Sequence, residues 1–108
     1  MTLMIPAGGF EVTGETAIGG MHRAELQHSF CPHCKNWVFT RPANQPFVNF
    51  RPTMLEDDSW FVPFVDCCMD EKLPGAVSGA KRAYPEFPPP SDYAELMSAY
   101  AAEGAKPK

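Results

Sequence analysis

Apolar and polar positions alternate in short runs along most of this 108-residue chain, a period that belongs to strands. Met1 to Pro6 is an apolar run too short for a helix, followed by a turn at Ala7-Gly8-Gly9. Phe10 to Thr13 alternates and predicts a half-buried strand ended by Gly14, with a second break at Ile18-Gly19-Gly20. Glu25 to Phe30 alternates again and runs into Cys31, and Trp37 to Thr40 leaves as another strand. The stretch between them, Cys31-Pro32-His33-Cys34, is therefore placed at the tip of a β-hairpin. After a Pro-bearing loop over Arg41 to Pro46, Phe47 to Arg51 is the next strand. Pro52 to Ser59 is a turn region in which Asp57 and Asp58 suit backbone N–H groups.

The most apolar segment is Trp60 to Val65. Pro63 inside it has no N–H to donate, so the segment is expected to be an edge or bulged strand, continued by Asp66 to Met69. Asp70 to Pro90 carries Pro74, Pro85, Pro88, Pro89 and Pro90 and predicts extended chain wrapped over the surface. Only then does helical spacing appear. Tyr93, Leu96, Met97 and Tyr100 fall at i, i+3, i+4 and i+7 and make one apolar face. Ser91 is placed as the N-cap, Asp92 at the first helical position, Gly104 as the stop, and Ala105 to Lys108 as a frayed tail. The fold class is mainly β, with short strands and one C-terminal helix. Phe30, Trp37, Phe39, Phe47, Phe50, Trp60, Phe61, Phe64 and the helix face are the expected core.

Composition narrows the class. The length fits one domain spanning residues 1–108, able to bury roughly 60–70 % of its unfolded surface. The 12 prolines agree with few helices, and 44 % hydrophobic residues fit a folded chain. A net charge of −4 argues against nucleic acid or an anionic membrane as the main partner. The first ten residues lack the basic and apolar regions of a secretory signal, and no run is long enough to span a membrane. A cytoplasmic, reducing compartment is the resulting expectation, in which the four cysteines are thiols or metal ligands rather than disulfides.

Two residues between Cys31 and Cys34 let both sulfurs turn toward one point, which suits a zinc ion or a disulfide. A structural zinc site needs four ligands, and this pair supplies two. Cys67 and Cys68 are weaker candidates: adjacent residues on a strand point to opposite faces, so the pair chelates poorly. Small buried core or edge residues are the plainer account of both. His22, His28 and His33 complete the set of possible ligands. The rival chemistry is thiol–disulfide exchange, since Cys-Pro-His-Cys resembles the active-site tetrapeptide of thioredoxin-superfamily oxidases. That motif works at a helix N-terminus, whereas here Lys35 to Thr40 is a β-type sequence closed by Arg41-Pro42.

Several blocks, in order, resemble the glutathione-dependent formaldehyde-activating enzyme family, which includes centromere protein V. They are Pro6-Ala-Gly-Gly-Phe-Glu-Val-Thr-Gly14, His28-Ser-Phe-Cys-Pro-His-Cys34, Val48-Asn-Phe-Arg51, Met54-Leu-Glu-Asp-Asp58, Trp60-Phe-Val-Pro-Phe64 and Glu71-Lys-Leu-Pro74, with the terminal helix behind them. The resemblance implies a β-tent fold of small sheets around zinc, with a four-cysteine structural site and a three-cysteine catalytic site for carbon–sulfur lyase chemistry on glutathione–formaldehyde adducts. By carry-over, Cys31 and Cys34 match structural zinc ligands. The family's remaining structural cysteines and all three catalytic ones precede the segment that matches Met1 to Gly14, and have no counterpart in this sequence.

Three expectations follow. The chain is a catalytically degenerate member with the family fold; or Met1 is internal to a longer protein that supplies the missing cysteines; or it is a non-catalytic binding module in which two chains form a homodimer around one zinc. Glutathione or a small thiol adduct is the small-molecule partner that the resemblance implies.

Overall fold

The structure, a computed structural model, describes residues 1–19 and 26–108. The expected break at Gly20, the start of a strand at Glu25 and the candidate ligand His22 lie outside the described residues. Mainly-β architecture is what the chain adopts: a five-stranded antiparallel sheet, a two-stranded parallel sheet and one C-terminal α-helix. Residues Met1–Asp58 and Ser59–Lys108 form two compact units.

The first unit holds β1 (Leu3–Pro6), β2 (Ala17–Gly19), β3 (Leu26–Phe30), β4 (Trp37–Pro42) and β5 (Phe47–Phe50) in the order β1-β5-β4-β3-β2. β3, β4 and β5 follow the alternation seen in the sequence, but β4 runs on through Arg41 and Pro42, expected as loop. Phe10 to Thr13 is not a strand. The chain turns through Gly9 at φ 84°, and Phe10 N–H donates back to the Ala7 carbonyl at 3.2 Å. The Phe10 ring then lies edge-on against Phe39, centroids 5.2 Å apart, with the Arg41 guanidinium 5.7 Å from its centroid. Phe10 thus covers a sheet face instead of extending a sheet. Ile18 and Gly19, expected as part of a break, instead lie in the edge strand β2, short and with Ile18 64 % exposed, as edges that avoid further pairing tend to be.

Cross-strand pairs share a face, and successive residues alternate between faces. Leu3, Phe50, Phe39 and Ser29 lie side by side on one face, where Val48 and Phe39 are buried. Met4, Asn49, Thr40 and His28 make the matching row on the other. Between β3 and β4 the register shifts: Ser29 faces Phe39, but Phe30 faces Trp37. Val38 is the extra residue of a β-bulge. Strict alternation would put Trp37 beside Phe39. The bulge turns it to the opposite face, and there its indole N–H donates to Thr40 Oγ at 2.9 Å.

In the second unit, Trp60 to Phe64 is irregular chain, and only Val65–Asp66 (β6) pairs, in parallel, with Arg82–Ala83 (β7). Pro63 breaks the ladder that its neighbours would otherwise support. Helix α1 (Tyr93–Glu103) follows a 3₁₀ turn at Pro90–Asp92. Asp92, not Ser91, holds the N-cap position and makes no side-chain cap bond; its carboxylate accepts from the Tyr84 hydroxyl at 3.0 Å. Leu96 is the buried residue of the helix, and Tyr100 meets Phe64 edge-on at 5.3 Å. Met97, expected on the same face, is 57 % exposed. Lys81–Glu103 at 2.7 Å and Arg82–Glu95 at 2.5 Å tie β7 and the residue before it to the helix, as exposed pairs that solvent screens. Gly104 stops the helix at φ −70°, and the expected frayed tail is bonded back, Tyr100 Oη donating to the Ala105 carbonyl and Lys106 Nζ to that of Ala101.

The core is leaner than the aromatic list implied. Of that list only Phe39 and the helix residue Leu96 are buried, and Val48 and Pro52, which the expected core left out, are fully so. The other listed aromatics are half-buried. Phe39→Ala is expected to lower stability by about 3–5 kcal/mol. Phe87→Ala, at a residue 72 % exposed, is expected to stay within about 0.5 kcal/mol of the parent. Urea midpoints of the two variants measure the contrast, and equal midpoints would remove Phe39 from the core.

Candidate metal-binding turn

The β3–β4 hairpin presents Cys31 to Asn36 at its tip, as expected. Cys31 N–H donates to the Asn36 carbonyl at 2.9 Å, and Lys35 N–H donates to the Cys31 carbonyl at 2.9 Å. Closing so tight a turn puts Lys35 in the left-handed region at φ 63°, uncommon for a residue with a Cβ. The Lys35 ammonium donates to the Pro32 carbonyl at 2.5 Å, which holds that conformation from outside. The result is that Cys34 N–H points at Cys31 Sγ, 3.5 Å away. Cys31 is half-buried and Cys34 exposed.

This arrangement favours sulfur in its anionic form. The Cys31 thiol is held below its ordinary range, first by the Cys34 backbone N–H, then by the His33 N–H and the Cys34 thiol, with the Lys35 charge adding to them against desolvation. N–H groups aimed at a sulfur stabilise a thiolate whether it is free or bound to a metal. The chain continues from the turn into β4, so a helix dipole is not the cause.

Cys67 and Cys68 belong to the second unit and correct the sequence expectation. They do not continue a strand. Cys68 sits at φ 58° and opens a 3₁₀ turn over Met69–Glu71, because the backbone N–H groups of Cys68 and Met69 are taken by the carbonyls of Glu86 and Tyr84. Neither is a core residue: Cys67 is exposed and Cys68 half-buried. With Asp66, Lys72 and Ser78 they line a shallow depression of about 380 Å³. Burial pushes the Cys67 thiol up, and the nearby Cys68 and Asp66 push it further.

All four cysteines are free. Among the described residues, no group of three His, Cys, Asp or Glu side chains is placed to hold a metal. His28 Nδ1 lies 2.7 Å from Thr40 Oγ, and its ring stands edge-on to Trp37 at 5.2 Å. The Thr40 hydroxyl thus joins both rings, its oxygen accepting from the Trp37 indole N–H, while its bond with His28 Nδ1 runs in the direction set by the imidazole tautomer. The sequence reading passed over Thr40 and Arg51, whose guanidinium lies 4.8 Å from the centroid of the Trp37 ring. The only sequence signal for this cluster is a Trp spaced three residues from a Thr, which shows a shared face only once the bulge is known.

No protein-family model, curated protein or solved structure matches the chain. No helix among the described residues is long and apolar enough to cross a membrane.

The thiol directions predict an order of reaction. A lowered pKa leaves more thiolate at a given pH and a raised one less. At neutral pH, iodoacetamide is expected to label Cys31 before Cys67 in the reduced, metal-free chain, although Cys67 is the more exposed. Peptide mass mapping over time reads the order, and Cys67 labelling first would contradict the role given to the turn.

Proposed function

We propose that this chain is a zinc-binding module, of the type resembling the glutathione-dependent formaldehyde-activating family, that contributes half of a structural zinc site through Cys31 and Cys34. One observation carries the proposal: the turn closes so that Cys34 N–H donates to Cys31 Sγ, which supports a thiolate there whether free or metal-bound. Two thiolates at this spacing fit half of a tetrahedral shell. The other half comes from outside the described residues, either a further segment of polypeptide or the same pair in a second copy. No catalytic role is assigned to a residue of this chain. A cytoplasmic location and a small thiol partner remain parts of the same proposal.

Zinc bound by such a site would order the turn, not carry out a reaction. The test is the zinc content of the purified chain by native mass spectrometry, taken with its mass in solution. Zinc is expected on the parent, and lost on Cys31→Ser and on Cys34→Ser, while Cys67→Ser keeps it. One ion per two chains identifies the second copy as the donor. A folded chain that takes up no zinc from a micromolar supply would end the proposal.

A further inference from the structure

Three consecutive sulfur-bearing residues line one hollow in the second unit. Cys67, Cys68 and Met69 border the shallow depression of about 380 Å³, together with Lys72. On a regular strand, neighbours point to opposite faces. Here the chain turns at Cys68, whose left-handed φ of 58° is uncommon for a residue with a Cβ, and both cysteines come to the same depression. Cys67 is exposed and Cys68 half-buried, so a small ion reaches them from solvent.

The backbone around them is held in place. Cys68 N–H donates to the Glu86 carbonyl at 2.9 Å, Met69 N–H to that of Tyr84 at 3.0 Å and Asp70 N–H to that of Pro85 at 3.2 Å. Tyr84 N–H donates to the Asp66 carbonyl at 2.8 Å, and Glu71 N–H closes the turn on the Cys68 carbonyl at 3.1 Å. A ligand that meets a backbone already fixed in this way loses little affinity to ordering.

Donor chemistry selects the ligand. Two thiols and a thioether are soft donors, a set that favours copper(I). Structural zinc asks for four ligands, and among the described residues no group of three His, Cys, Asp or Glu side chains is placed to hold a metal. The hard donor beside the cysteines, Asp66, accepts from Ser78 Oγ at 2.6 Å. Copper(I) is content with fewer ligands. As it binds, two S–H bonds break, two Cu–S bonds form and both protons pass to solvent, with the ion unchanged in oxidation state. Two thiolates on a monovalent ion leave one negative charge, and Lys72 is the cation lining the same depression.

We propose that Cys67 and Cys68, with the Met69 thioether, bind one copper(I) ion. The site belongs to the second unit and uses neither Cys31 nor Cys34, so it stands or falls independently of zinc in the hairpin turn.

The experiment follows alkylation of each cysteine by iodoacetamide in the full, reduced chain, under nitrogen, with and without two equivalents of copper(I) added as its acetonitrile complex. Two equivalents leave one ion for this site even where Cys31 and Cys34 take the other. Sulfur bound to a metal is a poor nucleophile, so labelling of Cys67 and Cys68 is expected to slow at least about tenfold, read residue by residue by peptide fragmentation in the mass spectrometer. Two equivalents of zinc are expected to leave both rates as they were. Cys67→Ser is expected to abolish the protection of Cys68, and Met69→Leu to weaken copper(I) about tenfold against the competing chelator bicinchoninate. Unchanged rates with copper(I), or protection of Cys68 that survives Cys67→Ser, would overturn the proposal. Equal protection by zinc would overturn the choice of ion, and an unchanged affinity in Met69→Leu would strike the thioether from the site.

Discussion

One surplus residue in the β3–β4 pairing governs the first unit. With Val38 bulged, the strands keep Ser29 opposite Phe39 at one end and bring Phe30 opposite Trp37 at the other. A bulge re-aims a side chain and sharpens local twist, and both effects are used here. Trp37 leaves the Phe39 face and joins Thr40, His28 and Arg51. The hairpin tip that follows closes through Lys35 in a left-handed conformation, which aims a backbone N–H at Cys31 Sγ. The polar face and the cysteine turn are therefore two products of one register, and a regular hairpin would provide neither in this form.

The two units distribute stability thinly. Fully buried apolar side chains contribute roughly 1.5–3 kcal/mol each, and among the described residues only Phe39, Val48 and Leu96 are buried hydrophobics. Most aromatics are half-buried and act through edge contacts and cation–π pairs: Phe10 on Phe39, Tyr100 on Phe64, Arg51 on Trp37. Ion pairs at α1 are exposed and add little. Structural zinc in small peptides contributes about 10–16 kcal/mol. Against a core of this kind, such a contribution would outweigh any single side chain in the molecule.

The sequence was most legible where alternation alone decides. The strands around Phe30, Phe39 and Val48 and the single late helix could be placed from it, and so could the cysteine turn at a hairpin tip. It misled where a local signal met a tertiary demand. Phe10 to Thr13 alternates like a strand, but its aromatic was worth more as a cover for Phe39. Trp60 to Phe64 has strand composition, but Pro63 leaves no continuous ladder to join. Asp92 could cap α1, but the Tyr84 hydroxyl competes for its carboxylate. The candidate site was half visible: spacing reveals Cys31 and Cys34 as a pair, while the Trp37–Thr40–Arg51 cluster depends on a bulge that no local residue type announces.

The strand order has a consequence for synthesis on the ribosome. Within this unit β1 is made before β5, its partner, with Leu3 opposite Phe50, so it has no place to dock until nearly the whole unit has emerged. The β2–β5 meander is built from neighbours and can form locally, whereas closing the loop to β1 is a non-local and hence slower step. During that interval the outer edge of β5 is unpaired, the situation in which a strand invites a foreign partner. The earliest strand of the unit is thus the last to be placed, and β1 acts as the nascent sheet's own edge cover.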